Sequence, residues 1–376
     1  MRKIIPLLLI TIGLVSCEKF FEFEQEVDFS QGNTNNKIVV QAVMQPGYPA
    51  YALLTRSEPF FDPVNAQTIE NVFVEGATIS ISSEDGEQVQ LINILDLNIA
   101  AFSQDEELIN LFDSLQNALP GLYIQPTPPF TFSQADKSYN LEIIKDGDTL
   151  TATTTIPSEH PMDSVWFVLD EGAPRPNLGN FWFHYSDPDT LGNTIMIEHK
   201  RLFHTKETQW GDNPPNGVSP NSVSVNDVED PFFIKALWGF VRNDFEGLNG
   251  TSFDTYLQRG TSNNILFDTS EQDFEQEENG YFKSGQSILT HDKDVFPDTV
   301  LLRFSQIDYE SYLFWRSADY QNNSGGNPFA EPINLQSNIN NGYGIFYGQA
   351  AIYYKVIAKE DTIYTERFYP SLFEIF

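Results

Sequence analysis

From Lys37 onward, short runs of residues alternate apolar and polar side chains, and the runs are separated by Gly, Pro, Asn and Asp. A period of two places every apolar side chain of a run on one face, which is the pattern of a half-buried strand rather than a helix. The alternation predicts strands over Ile38–Met44, Tyr51–Arg56, Phe73–Ser82, Val89–Leu95, Leu122–Gln125 and Tyr139–Lys145. Two Asp-Gly pairs mark hairpins. Asp85-Gly86 leads into Val89–Leu95, and Asp146-Gly147 leads into Thr149–Ile156, because Asp and Gly accept the positive φ of a type I′ turn. Short strands at this spacing point to a mainly β body that opens with an immunoglobulin-like sandwich.

One helical insertion breaks the pattern. Ser103 and Glu106 form a capping box, Leu108, Leu111, Phe112, Leu115 and Leu119 recur at helical spacing, and Pro120-Gly121 stops the run. It reads as a helix lying on the sandwich, with a partner-binding helix as the alternative. Pro157 and Pro161 then break both ladder and helix, so the sandwich is expected over 37–157 and a second β-rich domain over 158–376. Strands are predicted there at Ser164–Leu169, Phe181–Tyr185, Ile195–Phe203, Phe232–Phe240, Ser284–Leu289, Thr299–Phe304, Ala350–Ala358 and Thr362–Tyr369. A helix is predicted from Asp308 to Tyr320 with Ser305 as its cap. The connections at 211–231 and 321–344 are long and rich in Asn, Gly, Pro and Asp, the kind of segment that carries binding residues.

The N-terminus is different in kind. Arg2 and Lys3 precede an apolar stretch from Ile4 to Val15, shorter than the roughly 20 residues needed to cross a bilayer. Leu14-Val15-Ser16-Cys17 follows, and it resembles the bacterial lipobox, in which a small residue precedes the cysteine that takes a diacylglyceryl group. The resemblance implies a signal peptide over 1–16, cleavage before Cys17, and lipid attachment at that sulfur. The competing reading is a secretory signal beside a coincidental cysteine, yet Cys17 is the single cysteine of the chain. Several acyl chains on one residue would anchor the body to a membrane without spanning it. Glu18 does not match the aspartate that holds such lipoproteins at the inner membrane, so the resemblance favours the outer membrane. Residues 17–36 read as a tether. Within it, Phe20 to Phe29 alternates aromatic and acidic residues, similar to surface-export signals of Bacteroidota lipoproteins and equally readable as an edge strand.

Charge narrows the partners. The 53 Asp and Glu against 21 Lys and Arg give a formal charge of −32, and no basic cluster survives among the carboxylates, so nucleic acid is not an expected partner. Such a surface repels anionic lipid and favours cations or basic partners. A lone cysteine also excludes an intramolecular disulfide, a Cys-rich zinc site and an iron–sulfur cluster.

Several runs carry a resemblance across most of the chain: Lys37 to Gln41, Lys137 to Leu141, Ser186 to Asn193, Asn327 to Pro332, Ser337 to Ile339, and Gly342 to Phe346 with Gly348. Together with the lipobox they resemble a Bacteroidota lipoprotein family filed as domain of unknown function 4249. The resemblance implies an outer-membrane or surface lipoprotein, accessory to a TonB-dependent receptor in nutrient capture or envelope assembly. It carries over no catalytic residues. On physical grounds Gly342, Gly344 and Gly348 serve tight turns and close backbone approach, and they form no phosphate loop.

The remaining polar clusters offer little chemistry. Asp187, Asp189, Gly192 and Glu198 fit positions 1, 3, 6 and 12 of a calcium loop, but Leu191 at the fifth supplies no oxygen and the flanks alternate like strands. A hairpin turn is therefore expected, and a calcium site built from loop carboxylates is the alternative. His160, His184, His199, His204 and His291 show no His-x-x-x-His spacing, and no Gly-x-Ser-x-Gly elbow occurs. No catalytic residue, metal ligand or cofactor is expected. Trp182, Trp210, Trp238 and Trp315 either stack on sugars or fill β cores, and core packing is favoured except at Trp210 in its turn-rich setting. The expected function is a non-enzymatic binding protein. A glycan-binding or glycan-cleaving module and a structural adhesion protein are the alternatives.

Overall fold

The computed structural model describes residues 37–57, 72–99, 104–126, 128–171, 178–209, 223–228, 230, 233–235, 241–244, 247–261, 281–282, 298–324 and 335–375. Cys17 and the tether, Ser103, Trp210, Trp238, the expected strand at Ser284–Leu289 and the Asn327 to Pro332 run lie outside them.

The protein is mainly β. The first half contains β1 (Ile38–Met44), β2 (Tyr51–Arg56), β3 (Thr78–Ser83), β4 (Gln88–Asn93), the helix α1 (Glu106–Ala118), β5 (Leu122–Ile124), β6 (Lys137–Lys145) and β7 (Asp148–Ile156). There follow β8 (Ser164–Leu169), β9 (Leu178–Ser186), β10 (Thr194–Gln209), β11 (Val223–Val228), β12 (Ile234–Lys235), β13 (Val241–Asn243), β14 (Ser252–Thr261) and β15 (Tyr281–Phe282). The chain closes with β16 (Thr299–Ile307), α2 (Tyr309–Ser324), β17 (Tyr343–Ile357), β18 (Ile363–Tyr364) and α3 (Leu372–Ile375).

The described strands form two sheets. One is 14-stranded in the order β15-β11-β10-β16-β17-β1-β2-β5-β4-β3-β6-β7, with β12 and β13 also on β10; the other is β14-β9-β8-β18. The long path doubles back, so that Gly348 of β17 donates its N–H to Thr154 Oγ1 of β7 at 2.9 Å. Between these layers lies a core of Val40, Leu54, Ile79, Ile81, Tyr139 and Ile143, which Ile339 and Phe346 join from the C-terminal part. A second core forms where the inward residues of the smaller sheet, Phe181, Phe183 and Tyr185, meet Phe304 and Ile197 of the larger one. α1 closes a third cluster, with Phe112 and Leu115 over Ile94, Leu122 and Ile124.

The joint between the N- and C-terminal parts is the parallel pairing of β1 with β17, Val40 opposite Gly344. β17 begins within the glycine-rich run and is longer than the predicted Ala350–Ala358 strand. Gly344 has φ +107°, and a Cβ there would collide with the Val40 carbonyl, so close backbone approach is what this glycine provides.

Asp146 and Gly147 both take positive φ (54° and 94°) between Lys145 and Asp148, which pair directly, as a two-residue type I′ turn requires. At Asp85-Gly86 only Gly86 does, and Ser83 N–H donates to Glu87 O at 2.8 Å across a three-residue loop. The α2 cap is Asp308 rather than Ser305: its Oδ1 accepts from Ser311 N at 2.8 Å, while Ser305 is buried within β16. Of Thr362–Tyr369 only β18 is strand.

Candidate functional site

The outer face of the smaller sheet carries the most conspicuous surface. On β8, Val165 and Phe167 are buried, so strand alternation turns Trp166 and Val168 outward; on β9 the same logic buries Phe181, Phe183 and Tyr185 and turns Trp182 and His184 outward. Register then aligns them. Trp182 stands opposite Trp166 on one side and Tyr256 on the other, and Ile363 stands opposite Trp166. One row, Ile363-Trp166-Trp182-Tyr256, thus crosses all four strands. The Trp182 and Tyr256 ring centroids are 5.2 Å apart. Tyr256 is 54% and Ile363 68% exposed, in contrast to the buried aromatics one residue out of phase.

Polar groups border the row. His184 Nδ1 lies 2.5 Å from Asp254 Oδ1, and its Nε2 lies 3.9 Å from Asp163 Oδ2. A cleft of about 550 Å³ is lined by Trp166, Val168, His184, Asp254, Asp361 and Ile363. Aromatic planes beside carboxylate acceptors can hold a ligand with both apolar faces and hydroxyl donors.

Of the tryptophans singled out in the sequence, Trp182 departs from the core packing expected of it: strand alternation beside the buried Phe181 and Phe183 turns it outward into this row. Trp315 is core, edge-on to Tyr347 at 5.6 Å. Trp166 and Tyr256 were missed as site residues. Trp166 was readable from its phase against Val165 and Phe167, whereas the β14 sequence SFDTYLQRGT is too polar to announce a strand.

The calcium-loop residues are dispersed. Their segment is not a hairpin turn: it links β9 of the smaller sheet to β10 of the larger one. Asp187 Oδ2 accepts from Gly250 N at 3.3 Å, and Asp189 Oδ1 from Asn249 Nδ2 at 2.9 Å. Asp244, absent from the motif, accepts from Gly192 N and Asn193 N at 2.8 and 2.6 Å. Burial and the Asp244 carboxylate push the Asp187 carboxyl above its ordinary range. Glu198 points into the protein and is bound by Arg303, with Nε and Nη2 at 2.7 and 2.6 Å from its Oε2. Among the described residues no group of three or more His, Cys, Asp or Glu is arranged to hold a metal ion.

Around Glu198 and Arg303 stand three phenols. Burial pushes Tyr51 up to about 12 and raises Tyr347 and Tyr353, so all remain neutral donors. The Arg303 guanidinium also lies 4.0 Å from the Phe233 ring centroid. His199, the neighbour of Glu198 on the opposite face of β10, is pulled down to about 4 by burial.

These features define a mainly β protein with an aromatic outer face and an internal ion pair. The chain belongs to the domain of unknown function family DUF4249, whose model matches residues 22–351. No curated protein matches the chain. Among solved structures, a crystal structure of a Salmonella alpha-2-macroglobulin mutant is similar at 10% identity and a TM-score of 0.19, over 87% of this chain and 15% of that one.

Proposed function

We propose that this protein is a non-enzymatic Bacteroidota lipoprotein, joined to the outer membrane through Cys17 and exposed at the cell surface, where it serves a TonB-dependent receptor as an accessory binding protein in nutrient capture. The observation that carries the reading is the Ile363-Trp166-Trp182-Tyr256 row, a set of large side chains kept at the surface by strand register. The Leu14 to Cys17 lipobox supports the anchor. The test is mild detergent extraction of intact membranes followed by purification. A TonB-dependent receptor should co-purify and should be lost from the Trp182→Ala, Tyr256→Ala double variant; a monomeric preparation free of any barrel protein overturns the reading. Protease added to whole cells should remove the protein.

A second reading, a glycan-binding module, is favoured by the His184-Asp254 pair bordering the same row. It predicts retention on polysaccharide gels that falls in the Trp182→Ala variant.

A further inference from the structure

A second site lies inside the molecule. A cavity of about 300 Å³ sits where β2 and β5 of the first half, with α1 beside them, meet β10, β12 and β16. One wall is apolar, built by Leu53, Leu115, Leu119 and Leu122. The opposite wall carries Glu198, Arg303 and Lys235. Among the described lining residues there are thus two cations and one carboxylate, and both nitrogens that Arg303 directs at Glu198 converge on a single oxygen.

In a chain of formal charge −32, a cavity lined by an excess of positive charge is an exception that needs a cause. Lys235 Nζ lies 3.9 Å from the centroid of the Trp315 ring, which also lines the cavity. Burial works against the Lys235 ammonium, and the Glu198 carboxylate favours it. A second anionic oxygen would bring the two cations and the one carboxylate that line the cavity to charge balance.

We propose that this cavity binds a small organic anion, a carboxylate on an apolar body, with the head group at Lys235 and the body along the leucines of α1 and its neighbouring strands. Its volume falls at the small end of the range of ligand pockets, about 300–1,000 Å³. The proposal is independent of the outer aromatic face, so either can fail without the other.

The test is isothermal titration of the full chain carrying Cys17→Ser with sodium octanoate, octan-1-ol and sodium acetate. Octanoate should bind saturably, with octanol and acetate each weaker by about tenfold or more, as the loss of a charge-assisted hydrogen bond or of the buried chain implies. Lys235→Gln should weaken octanoate by about tenfold while leaving octanol unchanged. Leu119→Trp, which fills the apolar end, should abolish binding of both with an unaltered circular dichroism spectrum. Equal binding of octanol and octanoate, an unaffected Lys235→Gln variant, or no saturable binding of octanoate overturns the proposal.

Discussion

Arg303 directs its Nε and Nη2 onto one oxygen of Glu198, and the two side chains are only 8% and 5% exposed. They face each other across the β10–β16 ladder, where Glu198 and Arg303 are directly paired. A pair desolvated this far is held by geometry and by its neighbours, since mutual attraction alone scarcely repays the removal of two charges from water.

Breaking that pair by Arg303→Met should therefore cost about 3–5 kcal/mol, because a carboxylate is left buried without its partner. Replacing both residues, with Glu198→Leu added, should recover most of the loss. Urea unfolding of the two variants beside the parent chain measures both quantities, and a Glu198→Leu rescue that fails would show that the pair supports something besides itself.

His199 predicts a pH dependence. Its folded-state pKa of about 4 lies below the ordinary value of about 6.5, so the unfolded chain takes up the proton first. Its contribution to stability is full above about pH 6.5 and is lost progressively as pH falls toward 4, about 3 kcal/mol in all. Asp230, Arg201 and Glu198 are the charged groups that act on it, and Asp187, raised rather than lowered, contributes a slope of opposite sign. Denaturation of His199→Gln beside the parent chain from pH 7 to pH 4 isolates the histidine, and identical slopes would remove its assigned role.

Gly344→Ala should destabilise by about 2–4 kcal/mol. Both the positive φ and the Val40 backbone oppose a side chain there. Gly86→Ala, at a turn where nothing lies within 4 Å, should suffer only the φ penalty of about 1 kcal/mol. Thermal melts of the two variants separate strain from collision.

Asp308 clamps α2 to β7. Its Oδ2 accepts from Thr154 Oγ1 at 2.7 Å and Thr155 N at 3.0 Å, while its Oδ1 caps the helix. Asp308→Ala should cost about 2–4 kcal/mol and Asp308→Asn less, since a cap contributes about 1 and charged hydrogen bonds about 1.5–3. The protection of the first-turn amides of α2 against hydrogen exchange should fall in parallel.

What the sequence discloses is local. Ile38–Met44, Tyr51–Arg56 and Ser164–Leu169 are strands at their predicted limits because each carries an uninterrupted alternation or apolar run. β14 was missed because polar residues dominate it and its register shifts between Tyr256 and Arg259. The first half of β17 was missed because Gly342, Gly344 and Gly348 read as turn residues as well as points of close backbone approach; the close approach is what Gly344 and Gly348 provide within the strand, to Val40 and Ile156. Two identical Asp-Gly pairs gave different turns, since Ser83 Oγ accepts from Glu87 N at 3.2 Å and stabilises a longer loop at the first. The site was barely legible: Trp182 was expected in a core, and the row containing it exists only through pairings between strands distant in sequence. No local pattern specifies that Ile363 will stand beside Trp166.

The strand that follows the N-terminal segment is not at an edge. β1 is bonded to β17 on one side and to β2 on the other, with Val43 paired to both Tyr347 and Tyr51. Tension arriving through the residues before Lys37 therefore runs lengthwise along β1 and loads both of its ladders at once, in shear rather than by unzipping. A chain tethered from that end resists being torn open by flow or by a moving partner, because many bonds must yield together before the first strand can slip.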